Sequence, residues 1–327
     1  MKINKLTPSG FCGGVNKALK ILDEAIDNPN TPKPIYLLGS IIHNSIIIDE
    51  YISKGVILID DSNKSRLELL DEINNGTVIF SAHGVSHKVY QKALDKGLNI
   101  IDTTCSNVSI IHKRIIDRLN NGYTCIYIGN KKHPECEGVL GIDSSIILLS
   151  SIDDVNNLCV NNDKIYVTNQ TTLSLLEIEN IYNELKNKYP NIVIDNKICL
   201  STTLRQKSIL NQEKVDLCII VGDKSSSNTS KLVKIGNNIG INTVLVNNLN
   251  DVKLLDLNNI ESISITSGAS TPNYLIEEIV DYLKKIKYIN HLYWFIYIFN
   301  IYYRCQETMK YSKYEKGLAR TNPFSHF

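Results

Sequence analysis

The sequence predicts an α/β fold in which three similar units meet in a trefoil around one central site. Short apolar runs alternate with helical patterns from Lys2 to Lys287, which is typical of parallel sheets covered by helices. Cys12, Cys105 and Cys199 each stand between a strand and a helix, and they are 93 and 94 residues apart. A constant period of this kind indicates an internal repeat, here of three pseudo-symmetric α/β units.

The individual elements follow from the apolar patterns. Strands are predicted where β-branched and other apolar residues run together, at 77–80, 98–101, 164–168, 192–194, 243–246 and 262–266. Helices are predicted where apolar residues recur with a helical period, at 15–26, 88–96, 110–119, 175–189, 229–239 and 274–287. Polar loops recur at the carboxyl ends of the strands, where open α/β sheets bind their ligands.

The repeat divides the chain into units at 1–104, 105–198 and 199–287, with a tail at 288–327. The N-terminal strand is free to pair with the third unit instead of the first. The tail contains an aromatic and β-branched run, Leu292 to Tyr303. That run is shorter than the roughly 20 residues that cross a bilayer, so we expect no stable membrane insertion and leave the role of the tail open.

The charge balance excludes some classes of partner. The formal net charge is +1, which argues against nucleic acid and against a polybasic membrane contact. The 8 cysteines lack the dense spacing of a disulfide scaffold, and no signal peptide opens the sequence. We therefore expect a cytoplasmic protein with reduced thiols.

The three repeated cysteines predict a metal centre. A strand-to-helix turn points backbone N–H groups outward and favours a thiolate. Three thiolates could hold zinc, although zinc sites usually contain a C-x-x-C pair and this sequence has none. They could equally hold an iron–sulfur cluster, one iron of which would lack a protein ligand and could act as a Lewis acid. The other five are expected in strands, in helices or in the tail: Cys125, Cys136, Cys159, Cys218 and Cys305.

Donor-rich loops predict an anion site beside the cysteines. His43, His83 and His133 all lie at predicted strand ends. Hydroxyl and amide groups recur in the equivalent loops of the third unit, at Ser226, Ser227, Asn228 and Ser270. Such a lining suits a phosphate or diphosphate. Glu135 is the one carboxylate in these loops and a candidate proton source, whereas His87, His112, His291 and His326 are expected on the surface or in packing.

Nine motifs occur in the order found in one known family. They are Gly10-Phe11-Cys12-Gly13-Gly14-Val15, Ile42-His43-Asn44, Phe80-Ser81-Ala82-His83-Gly84, Asp102-Thr103-Thr104-Cys105, His133-Pro134-Glu135, Gln170-Thr171-Thr172-Leu173-Ser174, Cys199 with Arg205-Gln206, Ser226-Ser227-Asn228 and Gly268-Ala269-Ser270. Over about residues 1–287 the sequence resembles the 4-hydroxy-3-methylbut-2-enyl diphosphate reductases, the IspH or LytB family.

The resemblance implies a specific chemistry. The family is a trefoil around a central 4Fe–4S cluster, which Cys12, Cys105 and Cys199 would hold here. Its enzymes remove the allylic hydroxyl of a prenyl diphosphate with two electrons and two protons, giving isopentenyl and dimethylallyl diphosphate in the last step of the non-mevalonate isoprenoid pathway. The electron donor would be a ferredoxin or a flavodoxin.

The resemblance also implies residue roles. Glu135 would deliver protons with the help of Thr171, for which the neighbouring Thr172 is the alternative. The residues that would bind the diphosphate are His43, His83, His133, Thr171, Ser226, Ser227, Asn228 and Ser270.

Two positions depart from the family pattern, and two other functions stay open at this stage. Ser106 follows the middle cysteine where the family often has proline, and Cys136 replaces a usually apolar residue and is expected to point into the core. The first alternative is a zinc-dependent hydrolase that uses the same thiolates with Glu135 as base. The second is a phosphometabolite-binding protein without catalytic activity.

Overall fold

Three separate four-stranded parallel sheets form the described part of the protein, residues 1–286 of the computed structural model. The predicted α/β trefoil is therefore confirmed as the fold class. No helix in this part of the chain is both long and apolar enough to span a membrane. The proposed tail at 288–327 lies outside the described residues. So do the apolar run, His291, His326 and Cys305, which all belong to this tail.

The first sheet contains β2 (Ile35–Leu38), β3 (Ile57–Ile59), β4 (Thr77–Phe80) and β5 (Asn99–Asp102). The order across the sheet is β3–β2–β4–β5, and all neighbours are parallel. The helices of this third of the chain are α1 (Gly13–Asp27), α2 (Ser45–Ser53), α3 (Arg66–Leu69) and α4 (His87–Asp95), and a 3-10 turn follows α3 at Leu70–Glu72.

The second sheet contains β6 (Thr124–Ile128), β7 (Ile147–Leu149), β8 (Ile165–Asn169) and β9 (Val193–Asp195). Its order, β7–β6–β8–β9, repeats that of the first sheet. The accompanying helices are α5 (Ser106–Asn120), α6 (Pro134–Leu140), α7 (Ile152–Asn157) and α8 (Leu175–Lys188).

The start of the chain supplies the fourth strand of the third sheet. It contains β10 (Leu217–Val221), β11 (Thr243–Val246) and β12 (Ser262–Ser267), together with β1 (Lys2–Lys5). The order is β1–β12–β10–β11, and Ile3 pairs with Ile263. Thus β1 occupies the edge position that β5 and β9 occupy in the other sheets. The helices are α9 (Leu200–Leu210), α10 (Ser227–Asn238), α11 (Leu249–Lys253) and α12 at 273–286.

Each sheet is buried on both faces, which explains the continuous apolar runs in its central strands. All four residues of β4 are buried. Ile79 packs on the side of α1 and α2, whereas Val78 and Phe80 pack on the other side of the sheet. Residues of a strand alternate between its two faces, so a strand covered on both sides needs apolar residues throughout.

Several helices begin earlier than their apolar patterns predict. Helix α5 starts at Ser106 instead of 110, because Cys105 acts as its N-cap and its first turn is polar. Helix α10 starts at Ser227, after a Ser226 cap that accepts a hydrogen bond from the Thr229 N–H. Polar first turns carry no apolar signal, so the periodic pattern marks only the later part of such helices.

The cysteines outside the repeat differ in their surroundings. Cys125 and Cys218 are buried in β6 and β10, and Cys136 is fully buried in the core, as expected. For Cys159, the predicted position in a strand, in a helix or in the tail is wrong. It lies exposed in the connection after α7, outside any helix or strand, because that helix already ends at Asn157.

Candidate functional site

The three repeated cysteines occupy the same place in the three units. Each is the N-cap residue of a helix, with Cys12 before α1, Cys105 before α5 and Cys199 before α9. The backbone N–H of each donates to a carbonyl two residues beyond the neighbouring strand. The acceptors are Ala269 at 3.0 Å, Ala82 at 3.0 Å and Thr171 at 2.9 Å, respectively.

The three sulfur atoms surround a common cavity. Cys12, Cys105 and Cys199 all line it and are only half-buried. The Asn107 side-chain amide donates to Cys199 Sγ at 3.2 Å. A Cβ atom on Gly14 would lie 2.8 Å from Cys105 Sγ and 3.9 Å from Cys12 Sγ. A side chain at this position would therefore clash with the Cys105 thiol, and glycine lets that thiol lie close to the start of α1.

The thiol of Cys105 is less acidic than the helix N-terminus alone predicts. Burial raises the pKa of Cys105, and the backbone N–H groups of Asn107 and Val108 lower it by less. The backbone N–H groups thus favour the thiolate, as expected for a helix N-terminus, but burial opposes them. A metal bound at this thiol would require the loss of its proton.

The side chains predicted to bind an anion also follow the repeat. The fifth residue after the first central strand of each sheet is His43 after β2, His133 after β6 and Ser226 after β10. The third residue after the second central strand is His83 after β4, Thr172 after β8 and Ser270 after β12. All six line the cavity that contains the cysteines.

The three imidazoles form a compact cluster. The ring centroid of His43 lies 4.3 Å from that of His83 and 5.4 Å from that of His133, and the last two are 5.5 Å apart. Desolvation lowers the pKa of all three, to about 3 for His133, so the rings are neutral at pH 7. Neutral imidazoles still donate one hydrogen bond each.

The tautomer of His133 favours an anion as the ligand. Ligand atoms of the three imidazoles lie within 4.8 Å of one another, close enough to hold a metal ion. However, His133 Nδ1 accepts a hydrogen bond from the Glu135 N–H at 3.1 Å, which places the ring proton on Nε2. The side of this ring that is left free is therefore a donor, as an anion requires.

Unpaired polar atoms around the cavity indicate a polar ligand. His43 Nε2, His83 Nδ1 and both polar side-chain atoms of Asn228 are buried without a hydrogen-bond partner among the described residues. Such atoms destabilise a fold unless a ligand or water satisfies them. Ser226 Oγ accepts from the Thr229 N–H and keeps its own proton free to donate.

Two of the predicted anion ligands link neighbouring units. Ser270 Oγ donates to the His43 carbonyl at 2.8 Å, and Ser227 Oγ accepts from Thr172 Oγ1 at 3.1 Å. The proton of Ser270 is thus already engaged in this structure, whereas the proton of Ser227 is free.

Glu135 lies in the same cavity and is almost fully buried. Burial raises its pKa to about 7, and hydrogen bonds from Thr171 and Tyr127 offset part of that effect. The Thr171 N–H and Oγ1 donate to the two carboxyl oxygens at 2.9 Å each. A carboxyl group with this pKa is partly protonated at neutral pH and can act as an acid.

The two candidate threonines differ in their contacts. Thr171 bonds Glu135, whereas Thr172 bonds Ser227 and accepts from the Gln170 amide at 2.8 Å. Both side chains line the cavity. We therefore associate Thr171 with the carboxyl group and Thr172 with the side chains predicted to bind an anion.

Sequence reasoning missed Tyr127. Its ring is fully buried in β6, and its hydroxyl donates to Glu135 Oε1 at 3.1 Å. A tyrosine inside a buried apolar strand needs a polar partner, and that was the available signal. The partner itself cannot be identified without the fold.

A larger groove elsewhere lacks comparable chemistry. The groove between α1, α2 and the start of α12 has a volume of about 880 Å³, against about 110 Å³ for the cysteine-lined cavity. It is lined by side chains of mixed charge, such as Lys20, Asp23 and Glu50, and by no cysteine or histidine. We place the functional site in the smaller cavity because the reactive groups converge there.

Fold and site together define a class: an α/β trefoil protein in which three repeated cysteines, a histidine cluster and a buried acid line one cavity. The sequence model of the LytB protein family matches residues 3–284. This chain therefore belongs to the LytB family, and the resemblance seen in its motifs is confirmed.

Individual relatives agree with this assignment. The 4-hydroxy-3-methylbut-2-enyl diphosphate reductase of Geobacillus kaustophilus is 41% identical over 288 residues, which cover 87% of this chain and 90% of the relative. The enzyme of that name from Bacillus cytotoxicus is 40% identical over 297 residues, covering 90% and 94%.

Two solved structures share the fold. The E-1-hydroxy-2-methyl-but-2-enyl-4-diphosphate reductase of Plasmodium falciparum has a TM-score of 0.79 at 32% identity, and covers 86% of this chain and 87% of its own. A second structure, described as (E)-4-hydroxy-3-methyl-but-2-enyl diphosphate reductase, the terminal enzyme of the non-mevalonate pathway, has a TM-score of 0.63 at 27% identity. It covers 87% of this chain and 100% of its own.

Proposed function

We propose that this chain is an iron–sulfur enzyme that reduces 4-hydroxy-3-methylbut-2-enyl diphosphate to isopentenyl and dimethylallyl diphosphate. The proposal rests on one observation. A single cavity is lined by cysteines from equivalent turns, by a histidine cluster and by a buried acid. The names of the relatives support this substrate and reaction, the last step of the non-mevalonate pathway.

The cysteines fit a 4Fe–4S cluster. Cys12, Cys105 and Cys199 would each supply one thiolate, and Gly14 has no side chain that would clash with the Cys105 thiol. When bound, such a cluster supplies a Lewis-acidic iron without a protein ligand and a path for electrons. Most zinc sites contain a C-x-x-C pair of ligands. Three single thiolates from equivalent positions therefore fit an iron–sulfur cluster better than they fit zinc.

The histidine side of the cavity would bind the diphosphate. His43, His83 and His133 offer neutral donors, and Asn228 offers an unpaired amide. Ser226 and Ser227 at the start of α10 add hydroxyl donors, and Ser270 and Thr171 complete the lining. This arrangement would hold the flexible prenyl chain in one orientation, which lowers the entropic cost of reaction.

Glu135 would supply protons to the reacting end of the substrate. It is a buried acid on the cavity wall, and a pKa near 7 keeps part of the population protonated. The Thr171 hydroxyl bonds the carboxyl group and the Thr171 N–H fixes its orientation. Protonation turns the allylic hydroxyl into water, a better leaving group. The two electrons would arrive from a ferredoxin or a flavodoxin.

Neither alternative explains the whole site. A zinc hydrolase would use the thiolates and Glu135 but would leave the histidine cluster without a role. A simple binding protein would not need an acid with a raised pKa near the three thiols.

The test is turnover by protein purified and reconstituted without oxygen, with reduced methyl viologen as electron source. We expect both prenyl diphosphates as products from wild-type protein. The Cys105→Ser variant should lose bound iron and turnover together, whereas Cys159→Ser, at an exposed thiol away from the cavity, should keep both. Zinc in place of iron, or an unchanged iron content in Cys105→Ser, would contradict the proposal.

A further inference from the structure

A buried positive charge lies near the histidine cluster, and the proposed reaction does not use it. Arg66 is the first residue of α3 and is only 6% exposed, yet it does not line the cavity. Burial of a guanidinium group costs free energy unless hydrogen bonds and an opposite charge compensate it. The contacts of Arg66 therefore show what holds the charge in this place.

These contacts join two segments that each carry an imidazole of the cluster. Arg66 Nη1 donates to Glu137 Oε2 at 2.8 Å, and the Arg66 backbone N–H donates to Glu137 Oε1, also at 2.8 Å. Glu137 belongs to α6, the helix that His133 caps. Arg66 Nε donates to the Leu38 carbonyl at 3.4 Å, and Leu38 ends β2, five residues before His43. Arg66 thus links the first unit to the second directly beside the cluster.

Glycine at position 39 lets the guanidinium group lie against the loop that leads to His43. Gly39 has a φ of +76°, and a Cβ atom there would lie 3.0 Å from Arg66 Nη2. Any other residue would be strained by this backbone angle and crowded by the guanidinium group. Close packing of Arg66 on this loop therefore depends on glycine.

The two charges of the ion pair differ in their exposure to solvent. The Arg66 side chain is 7% exposed, whereas the Glu137 side chain is 39% exposed. Water screens an exposed charge more than a buried one, so the guanidinium charge acts more strongly inside the protein than the carboxylate charge does. The pair as a whole therefore presents a positive charge to the interior.

This positive charge acts on the whole histidine cluster. Burial is the largest cause of the lowered pKa of the three imidazoles, and the charge of Arg66 contributes to the lowering in all three. Asp60 and Asp223 act on the pKa of His43 in the opposite direction. Neutral imidazoles donate hydrogen bonds but carry no charge to balance a diphosphate, so a fixed charge nearby adds an attraction that the rings lack.

We propose that Arg66 determines the affinity of the cavity for diphosphate, because its fixed positive charge attracts the anion from behind the histidine cluster without contacting it. The inference rests on the proposed function, since it requires a diphosphate in this cavity. The charge of an arginine is permanent, so it acts at neutral and alkaline pH, where the imidazoles are uncharged. Glu137 holds the guanidinium group in place and opposes part of its charge.

The experiment measures the dissociation constant of inorganic pyrophosphate by calorimetry, with reconstituted holoenzyme at pH 8. Arg66→Met removes the positive charge, and we expect about tenfold weaker binding. Glu137→Gln removes the opposing charge but keeps an acceptor for the guanidinium group, and we expect about twofold tighter binding. If the ion pair were only a structural link, both substitutions would weaken binding.

The pH dependence of the Arg66→Met variant provides a second readout. Loss of Arg66 raises the pKa of the imidazoles, so they take up protons more readily as the pH falls and replace the missing charge. The weakening should therefore shrink from about tenfold at pH 8 to about threefold at pH 6. A purely structural defect would not shrink in this way.

Two control variants separate the charge from the shape of the side chain and from arginines in general. Arg66→Lys keeps the charge and should bind pyrophosphate within about threefold of the wild type. Arg114→Met removes an exposed arginine that also pairs with a carboxylate, that of Asp195, away from the cavity. It should leave pyrophosphate binding unchanged because solvent screens its charge.

The proposal is overturned by weaker binding in Glu137→Gln or by a wild-type dissociation constant in Arg66→Met. Should Arg66→Met fail to fold, the direction of the change in Glu137→Gln decides alone. Absence of both pyrophosphate binding and turnover in the wild type would instead refute the proposed function.

Discussion

At the scale of single residues, Glu135 shows how burial changes an ordinary carboxyl group. Loss of solvation raises its pKa to about 7, while the three hydrogen bonds from Thr171 and Tyr127 favour the charged form. A proton donor is active in its protonated form. We therefore expect kcat to fall as the pH rises through the pKa of this group.

Replacing the acid should abolish most of the activity. Glu135→Gln keeps the size of the side chain but has no proton to give, so we expect kcat to fall by about 10²–10⁴ with an unchanged iron content. The matched control is Glu137→Gln in the same helix, where the side chain bonds Arg66 at 2.8 Å outside the cavity. Full turnover by Glu135→Gln would exclude the assigned role.

Tyr127 should set the pH range over which Glu135 works. Its hydroxyl stabilises the ionised carboxyl group, so Tyr127→Phe should raise the pKa of Glu135 further. The alkaline limb of the profile of kcat against pH should then move to higher pH. A profile identical to that of the wild type would show that this hydrogen bond does not tune the acid.

Anion binding should take up protons at the histidine cluster. His43, His83 and His133 are neutral at pH 7, and a bound diphosphate raises the pKa of adjacent imidazoles. Calorimetric titration with inorganic pyrophosphate, in buffers of different ionisation enthalpy, should show net proton uptake and tighter binding as the pH falls from about 8 to about 6. The uptake should shrink in His83→Gln and persist in the exposed control His87→Gln. Equal affinity at both pH values would contradict the proposed anion pocket.

Some of these residues could be predicted from the sequence and others could not. The cysteines, the histidines and Glu135 were predictable because each follows a predicted strand, in the connecting loop or in the first turn of the next helix, and ligands bind at such places. The choice between Thr171 and Thr172 could not be predicted, because neighbouring loop residues point in different directions. Tyr127 lies inside a strand, where its hydroxyl signals the need for a polar partner but does not identify that partner.

At the scale of secondary-structure elements, α9 joins the start of the chain to the second unit. The buried Arg205 guanidinium donates to the carbonyls of Pro8 at 2.9 Å and Gly10 at 2.6 Å. The adjacent Gln206 donates to the Leu173 carbonyl at 2.8 Å and accepts from the Leu175 N–H at 2.9 Å. Two neighbouring side chains thus hold the loops that position Cys12 and Thr171.

Loss of this link should destabilise the fold and the metal centre together. Arg205→Met leaves buried carbonyls without donors, so we expect a loss of about 3 kcal/mol in urea unfolding of metal-free protein. Iron should also pass faster to a chelator. Lys207→Met, at an exposed position of the same helix, should cost less than about 0.5 kcal/mol. Equal stability of the two variants would show that the Arg205 contacts do not anchor the loop.

The limits of the helices were less predictable than their existence. Apolar periodicity located the body of α5 and α10, but their N-caps are polar or sulfur-containing residues that also line the cavity. The function of these first turns requires residues that break the apolar pattern, so their boundaries become clear only in three dimensions.

At the scale of the whole molecule, the three sheets share one strand order, and the N-terminal strand completes the third. The repeat of the cysteines predicted three units, because a constant period indicates an internal repeat. Pairing of β1 with β12 was left open by the sequence, since an edge strand with few apolar residues carries no signal for its partner. We propose the unit boundaries at 104 and 198 on the basis of the helices that begin at the cysteines.

The central claim is that three units give one thiolate each to a shared 4Fe–4S cluster with one iron free for the substrate. Mössbauer spectroscopy of protein reconstituted anaerobically with ⁵⁷Fe tests it most directly. We predict about four iron atoms per chain, one of them distinct from the other three and altered when the allylic diphosphate is added. Four equivalent irons, or a spectrum unchanged by the diphosphate, would contradict this account.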